Sequence, residues 1–272
     1  MSSTAHKLPN TTWQISYGDD SYAYGTAWKD TVVIGGINIT GAVVESATEV
    51  SEQLLSDLDL AGIFGVAFNL ASRVYPPQPT VFELLGPLLD SKVLTADLKW
   101  HADGIYTFGH INSSLYKGDI HYIPLKDDAE FWQFNFTKFH VGNESYWLLS
   151  QWSAILDTGT SLMLLDNEIV KMYWRTVPSA QLDNRYNLWT YPCDTVLPDF
   201  RLGFGDWDVT IPGHYINYTY VENMNSTCMG GIQSNMGEEF SVLGDMFLKA
   251  VFAIFDFEGK RIGLAKKAQP LN

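Results

Sequence analysis

The sequence predicts a mainly β fold built as two related halves. Short apolar or alternating runs are separated by Gly-rich turns, and no more than three stretches carry a helical period. The pattern apolar-apolar-Gly-x-x-Phe occurs at Ile63-Phe64-Gly65-Val66-Ala67-Phe68 and again at Val242-Leu243-Gly244-Asp245-Met246-Phe247. Such self-similarity is expected of a fold made from a repeated unit.

In chain order, Trp13-Gln14-Ile15-Ser16-Tyr17 alternates as a half-buried strand does. Gly18-Asp19-Asp20-Ser21 then reads as a hairpin turn, and residues 22–28 return as the partner strand. Asp30-Thr31-Val32-Val33-Ile34 is a further strand that ends in the turn Gly35-Gly36. A short acidic, helix-capable stretch precedes Ile63. Pro76-Pro77-Gln78-Pro79 breaks the chain before an amphipathic helix at about 81–89. Strands follow at 104–109, 118–123 and 132–137, then a second helix over 167–176. The remainder reads as short strands at 228–233, 242–248, 253–256 and 262–265.

At 272 residues, with 46% apolar and 14% aromatic side chains, the chain has material for two modest domains or one large β-rich one. A formal charge of −14 with no basic run argues against a nucleic-acid partner and suits an acidic milieu. No apolar run reaches the roughly 18 residues of a membrane span. The start Met1-Ser2-Ser3-Thr4 lacks a signal peptide's apolar region, which would fit an intracellular protein if Met1 is the native start. Seven glycosylation sequons, at Asn10, Asn38, Asn112, Asn135, Asn143, Asn217 and Asn225, point instead to a secreted ancestry. Cys193 and Cys228 are an even pair that allows one disulfide. His6, His101, His110, His121, His140 and His214 are scattered without metal-ligand spacing, so neither a metal nor a cofactor is expected.

The chemistry-bearing stretch is Ala154-Ile155-Leu156-Asp157-Thr158-Gly159-Thr160-Ser161. Two apolar residues deliver Asp157 into a sharp turn at Gly159. The turn N–H groups and the hydroxyls of Thr158, Thr160 and Ser161 are available to orient the carboxylate and favour its ionised form. An Asx turn at a strand end would use the same residue types without any chemistry. The run of Asp-Thr-Gly-Thr-Ser between two apolar segments resembles the C-terminal catalytic loop of the pepsin-like aspartic peptidases. Ile15-Ser16-Tyr17-Gly18-Asp19, followed by Ser21, resembles their substrate-covering flap, with Asp20 where that family usually has glycine. Phe108-Gly109-His110-Ile111 resembles the interdomain region, and the two Gly-x-x-Phe segments resemble the strand that each lobe threads beside its catalytic loop.

The resemblance runs from about residue 2 to 268 and is nearest to fungal secreted members. It implies a bilobal pepsin-like fold with a partial N-terminal lobe over 1–102, carrying the flap. A C-terminal lobe over 103–272 carries Asp157, with interdomain strands near 103–125. It implies Asp157 as a catalytic carboxylate and Tyr17, Gly18, Asp19, Ile155, Gly159, Thr160 and Ser161 as substrate-binding residues. Cys193 and Cys228 fall where these enzymes have their C-lobe disulfide. The implied partner is a peptide or small-molecule ligand in the interlobe cleft of a monomer.

Aspartic peptidases need two carboxylates that share a proton, and their mutual repulsion separates their pKa values, as is established for this family. Asp30-Thr31-Val32 and Asp194-Thr195-Val196 lack the glycine of a second loop. General acid–base help is typically worth about 10²–10⁴-fold, so a chain with one such Asp is expected to hydrolyse peptides poorly. Three functions remain open: a peptidase represented by part of its sequence, an intracellular pseudo-peptidase using Asp157 as a lone acid or base on a small molecule, and a non-catalytic peptide-binding module.

Overall fold

The computed structural model describes residues 2–56, 60–144, 146–221 and 226–269. The chain divides into two compact units, Met1–Lys92 with Ala129–Phe131, and Val93–Asp128 with Trp132–Asn272. A boundary at 102/103 would separate the strands Val93–Lys99 (β5) and Ala102–Phe108 (β6), which form one antiparallel hairpin from Leu94↔Phe108 to Lys99↔Ala102. Both strands lie in the second unit.

In the first unit, β1 (His6–Ser16), β2 (Tyr22–Ile34) and β3 (Ile37–Val50) form an antiparallel meander, with β4 (Val74–Tyr75) added beside β1. The β2–β3 connection is the expected Gly35-Gly36 turn. Both glycines have positive φ, 55° and 83°, which a two-residue hairpin of this hand requires. One face buries Trp13, Ala23, Ala27 and Val74, with Leu8, Ile15, Val43, Val50 and Leu54 packed against them. Helix α1 (Glu52–Ser56) is the acidic stretch, and α2 (Val81–Leu85) opens on a capping box between Thr80 and Glu83. The helix expected to reach residue 89 tightens into a 3₁₀ turn at 86–88, where Pro87 has no N–H to give. Residues 61–66 form no strand, and Ile63 is 60% exposed.

The described residues of the second unit form three sheets. A five-stranded antiparallel sheet has the order β6-β5-β19-β20-β7, with β7 at Tyr116–Pro124, β19 at Phe252–Asp256 and β20 at Arg261–Lys267. A seven-stranded sheet has the order β14-β13-β8-β9-β18-β10-β17. Its members are β8 (Gln133–Val141), β9 (Leu148–Leu156), β10 (Met163–Leu165), β13 (Phe200–Phe204), β14 (Trp207–Ile211), β17 (Ile232–Ser234) and β18 (Ser241–Leu243). The third sheet joins β11 (Gln181–Asp183), β12 (Leu188–Pro192), β16 (Thr227–Gly230) and β15 (Asn217–Tyr220) in that order.

Three helices complete this unit: α3 (Asn167–Arg175), α4 (Gly213–Ile216) and α5 (Asp245–Leu248). Asp166 caps α3 by accepting from the Glu168 N–H at 2.8 Å. Ile169, Val170, Tyr173 and Trp174 form the buried stripe of α3, and the Trp174 indole N–H donates to the Ile232 carbonyl at 2.8 Å. The core is heavily aromatic, with Phe134, Phe136, Phe139, Phe200, Phe247, Phe252 and Phe255 all buried. Cys193 and Cys228 form the expected disulfide, their Cα atoms 5.0 Å apart. Among the described residues no helix is long and apolar enough to cross a membrane.

Candidate active site

Asp157 stands where β9 ends, at the start of the loop that leads to β10. Strand β18 threads between these two strands, parallel to β9 (Leu243↔Leu156) and antiparallel to β10 (Met163↔Leu243). The loop is thereby stitched to the segment that follows β18. The Asp157 N–H donates to the Leu243 carbonyl at 3.2 Å, and the N–H groups of Gly244, Asp245 and Met246 donate to the carbonyls of Leu162, Thr160 and Ser161. Gly244 makes this approach possible, since a Cβ there would sit 2.1 Å from the Thr160 carbonyl oxygen.

The Asp157 carboxylate is held by its own turn. Oδ1 accepts from the Gly159 N–H at 2.8 Å and Oδ2 accepts from the Thr160 hydroxyl at 2.7 Å. The expectation that Thr158 and Ser161 would join as hydroxyl donors is not met. The Thr158 hydroxyl shares a hydrogen bond with Tyr106 on β6, and Ser161 contributes its carbonyl to Met246. Ile155, next to last in β9, is 8% exposed and paired with Gln133 on one side and Val242 on the other.

Two residues of this site were not picked out from the sequence. Burial pushes the Asp245 carboxyl above the ordinary aspartate value; nearby Lys249 opposes that shift and nearby Asp157 adds to it. Asp245 Oδ1 is buried with no hydrogen-bond partner among the described residues. Burial also raises Tyr106, as do the charges of Asp245 and Asp157, against the Thr158 hydrogen bond. The second Gly-containing repeat pointed to Asp245 only as a neighbour of Gly244, and Tyr106 read as an ordinary strand residue. The unit thus brings two carboxyl groups and a phenol to one loop, an arrangement suited to holding and moving protons.

In the other unit, Tyr17-Gly18-Asp19-Asp20-Ser21 forms the expected hairpin end between β1 and β2. The Tyr17 N–H donates to the Ser21 carbonyl at 2.8 Å, and the Asp20 N–H to the Tyr17 carbonyl at 3.1 Å. Asp20, not Gly18, takes the left-handed conformation, at φ 64°. Asp19 Oδ1 accepts from the Ser21 hydroxyl at 2.6 Å and the Ser21 N–H at 3.0 Å, and the hydroxyl bond leads in holding the Asp19 carboxyl below its ordinary value. Burial raises the Tyr17 phenol, with Glu45 and Asp19 adding to it. Among the described residues no His, Cys, Asp and Glu cluster has metal-binding geometry.

A family model described as eukaryotic aspartyl protease matches residues 1–267. Aspergillopepsin-1 of Aspergillus fumigatus is 42% identical over 268 residues, covering 98% of this chain and 68% of the relative. Penicillopepsin-1 of Penicillium rubens is 39% identical over 269 residues, covering 98% and 67%. The crystal structure of the aspartic proteinase from Irpex lacteus superposes with a TM-score of 0.83 at 23% identity, covering 97% of this chain and 83% of that one. That likeness concerns the fold.

Proposed function

Because the chain belongs to the eukaryotic aspartyl protease family, we propose that Asp157 is a catalytic carboxylate of peptide-bond hydrolysis, and that this polypeptide alone supplies one half of the required pair. The observation that carries this reading is the Asp157 carboxylate, fixed by the Gly159 N–H and the Thr160 hydroxyl in the loop beside β18. In an aspartic peptidase one carboxylate takes a proton from water while the other, protonated, polarises the scissile carbonyl. Asp157 is suited to the first role. By likeness to the family, Tyr17, Gly18 and Asp19 contact the substrate, and so do Ile155, Gly159, Thr160 and Ser161. The substrate is an extended peptide bound to a monomer without a cofactor.

With no second Asp-Thr-Gly in the sequence, peptide hydrolysis by this polypeptide should stand near background. The test is to incubate the chain with unfolded protein at about pH 3–5, a range set by the ordinary carboxylate values, and to repeat with Asp157→Asn. Near-background rates in both are expected. Robust pepstatin-sensitive cleavage that Asp157→Asn abolishes would show a complete pair and overturn the half-site reading.

A second reading has a specific observation in its favour. Asp245 lies close enough to Asp157 to feel its charge, so this unit holds two carboxyl groups of its own. This pair supports acid–base chemistry on a small molecule as the second reading. We also infer a secretory route, supported by the Cys193–Cys228 disulfide and by sequons whose asparagines are exposed at Asn10, Asn38, Asn135, Asn143 and Asn217.

A further inference from the structure

A cavity of about 210 Å³ lies at the end of the five-stranded sheet. It forms where β5 runs out at Lys99, the hairpin turns through Trp100, and β20 finishes at Lys267. The Lys267 side chain is buried, with 7% of it exposed. Its ammonium donates to Asp97 Oδ1 at 2.7 Å and to the Leu98 carbonyl, so two of its three donors are spent inside the protein. Burial pulls the Lys267 ammonium below the ordinary lysine value, and the Asp97 hydrogen bond works against that.

Two further cations line the same cavity, Lys99 and Lys249, and neither makes an ion pair among the described residues. The Lys249 ammonium lies 5.8 Å from the Trp100 ring centroid. Trp100 in turn stacks on Tyr215, with centroids 4.6 Å apart and planes 10° from parallel. Three lysines against the single Asp97 leave the lining formally cationic, in a chain whose net charge is −14.

We propose that this cavity binds a small organic monocarboxylate with a flat apolar body, at a site separate from the Asp157 loop. The cations call for an anion, and ammonium groups held against protein surface attract one more strongly than they would in bulk water. Asp97 in the same wall repels a dianion more than a monoanion, which disfavours phosphate. The Trp100–Tyr215 stack and Leu115 supply the apolar wall for a flat ligand. The volume is below the roughly 300–1,000 Å³ of pockets for drug-sized ligands, so a single ring fits the site better than a peptide.

The test titrates the isotopically labelled full chain with benzoate, with benzyl alcohol as its neutral counterpart, and with inorganic phosphate, following backbone amide resonances. Benzoate is expected to saturate shifts centred on Leu98, Lys99, Trp100, Tyr215 and Lys249, with benzyl alcohol and phosphate each at least tenfold weaker. Lys249→Met and Trp100→Leu should each weaken benzoate at least tenfold, in variants whose resonance dispersion and melting temperature show a retained fold. Equal binding of benzyl alcohol, equal binding of phosphate, or undiminished benzoate binding in folded Lys249→Met would overturn the proposal. The three-probe comparison on the unaltered chain decides it even if both variants fail to fold.

Discussion

Asp245 sits in an environment that its neighbours in sequence do not announce, half-buried with Oδ1 unpartnered among the described residues. Its carboxyl is raised above the ordinary aspartate value chiefly by burial, which penalises the ionised form in the folded protein. A raised acid contributes stability that is fully present below its unfolded value and is lost as pH rises through its folded value. Asn is neutral throughout. Asp245→Asn should therefore gain melting temperature over the parent at neutral pH, with the gain shrinking toward zero by about pH 3, below the ordinary aspartate value. A gap between the two melting curves that stays constant with pH would mean that Asp245 titrates as an exposed aspartate does.

At the scale of elements, the region around α3, β12 and β16 is held both by packing and by a covalent bond. Trp174 is buried and stacks on Trp189 and Tyr191, with centroid separations of 6.1 and 5.6 Å. Burial pushes the Tyr191 phenol up to about 12. Cys228 lies on β16 opposite Tyr191, and its bond to Cys193 closes a separation of 35 residues. Replacing both cysteines by serine should cost about 3–4 kcal/mol by the chain-entropy account. Denaturant unfolding of the oxidised parent and the double variant measures this directly. A difference well under 1 kcal/mol would place the stability of this region in its aromatic packing alone.

On the scale of the molecule, the two units are unequal in core. The first buries Trp13, Ile39, Val74, Phe82 and Leu85 with a few alanines, whereas the second encloses an aromatic interior among three sheets. The secretory route proposed above also bears on the whole molecule, whose formal charge is −14 and whose sequon asparagines are exposed at five positions. Protein from its native source should accordingly carry glycan mass that an asparagine-directed glycosidase removes. An intact mass equal to that of the bare polypeptide would argue against the secretory route.

What the sequence determined by itself was local. The Asp157 turn, the Tyr17–Ser21 hairpin, the Thr80–Glu83 capping box and the Gly35-Gly36 turn each rest on bonds or backbone angles within a few residues. Their residue types are therefore legible in order along the chain. The repeated Gly-x-x-Phe pattern was legible too, but not its outcome. Val242-Leu243 became a strand because β9 and β10 flank it, while Ile63 and Phe64 lie in a segment that forms none. Tertiary structure alone decided that Tyr106 would meet Thr158, that Asp245 would lie half-buried within reach of the Asp157 charge, and that Lys249 and Lys267 would share a cavity with Trp100. Those neighbours are set by which strands pair across long stretches of chain. No local propensity records that choice, because it depends on the whole set of apolar faces that must be buried together.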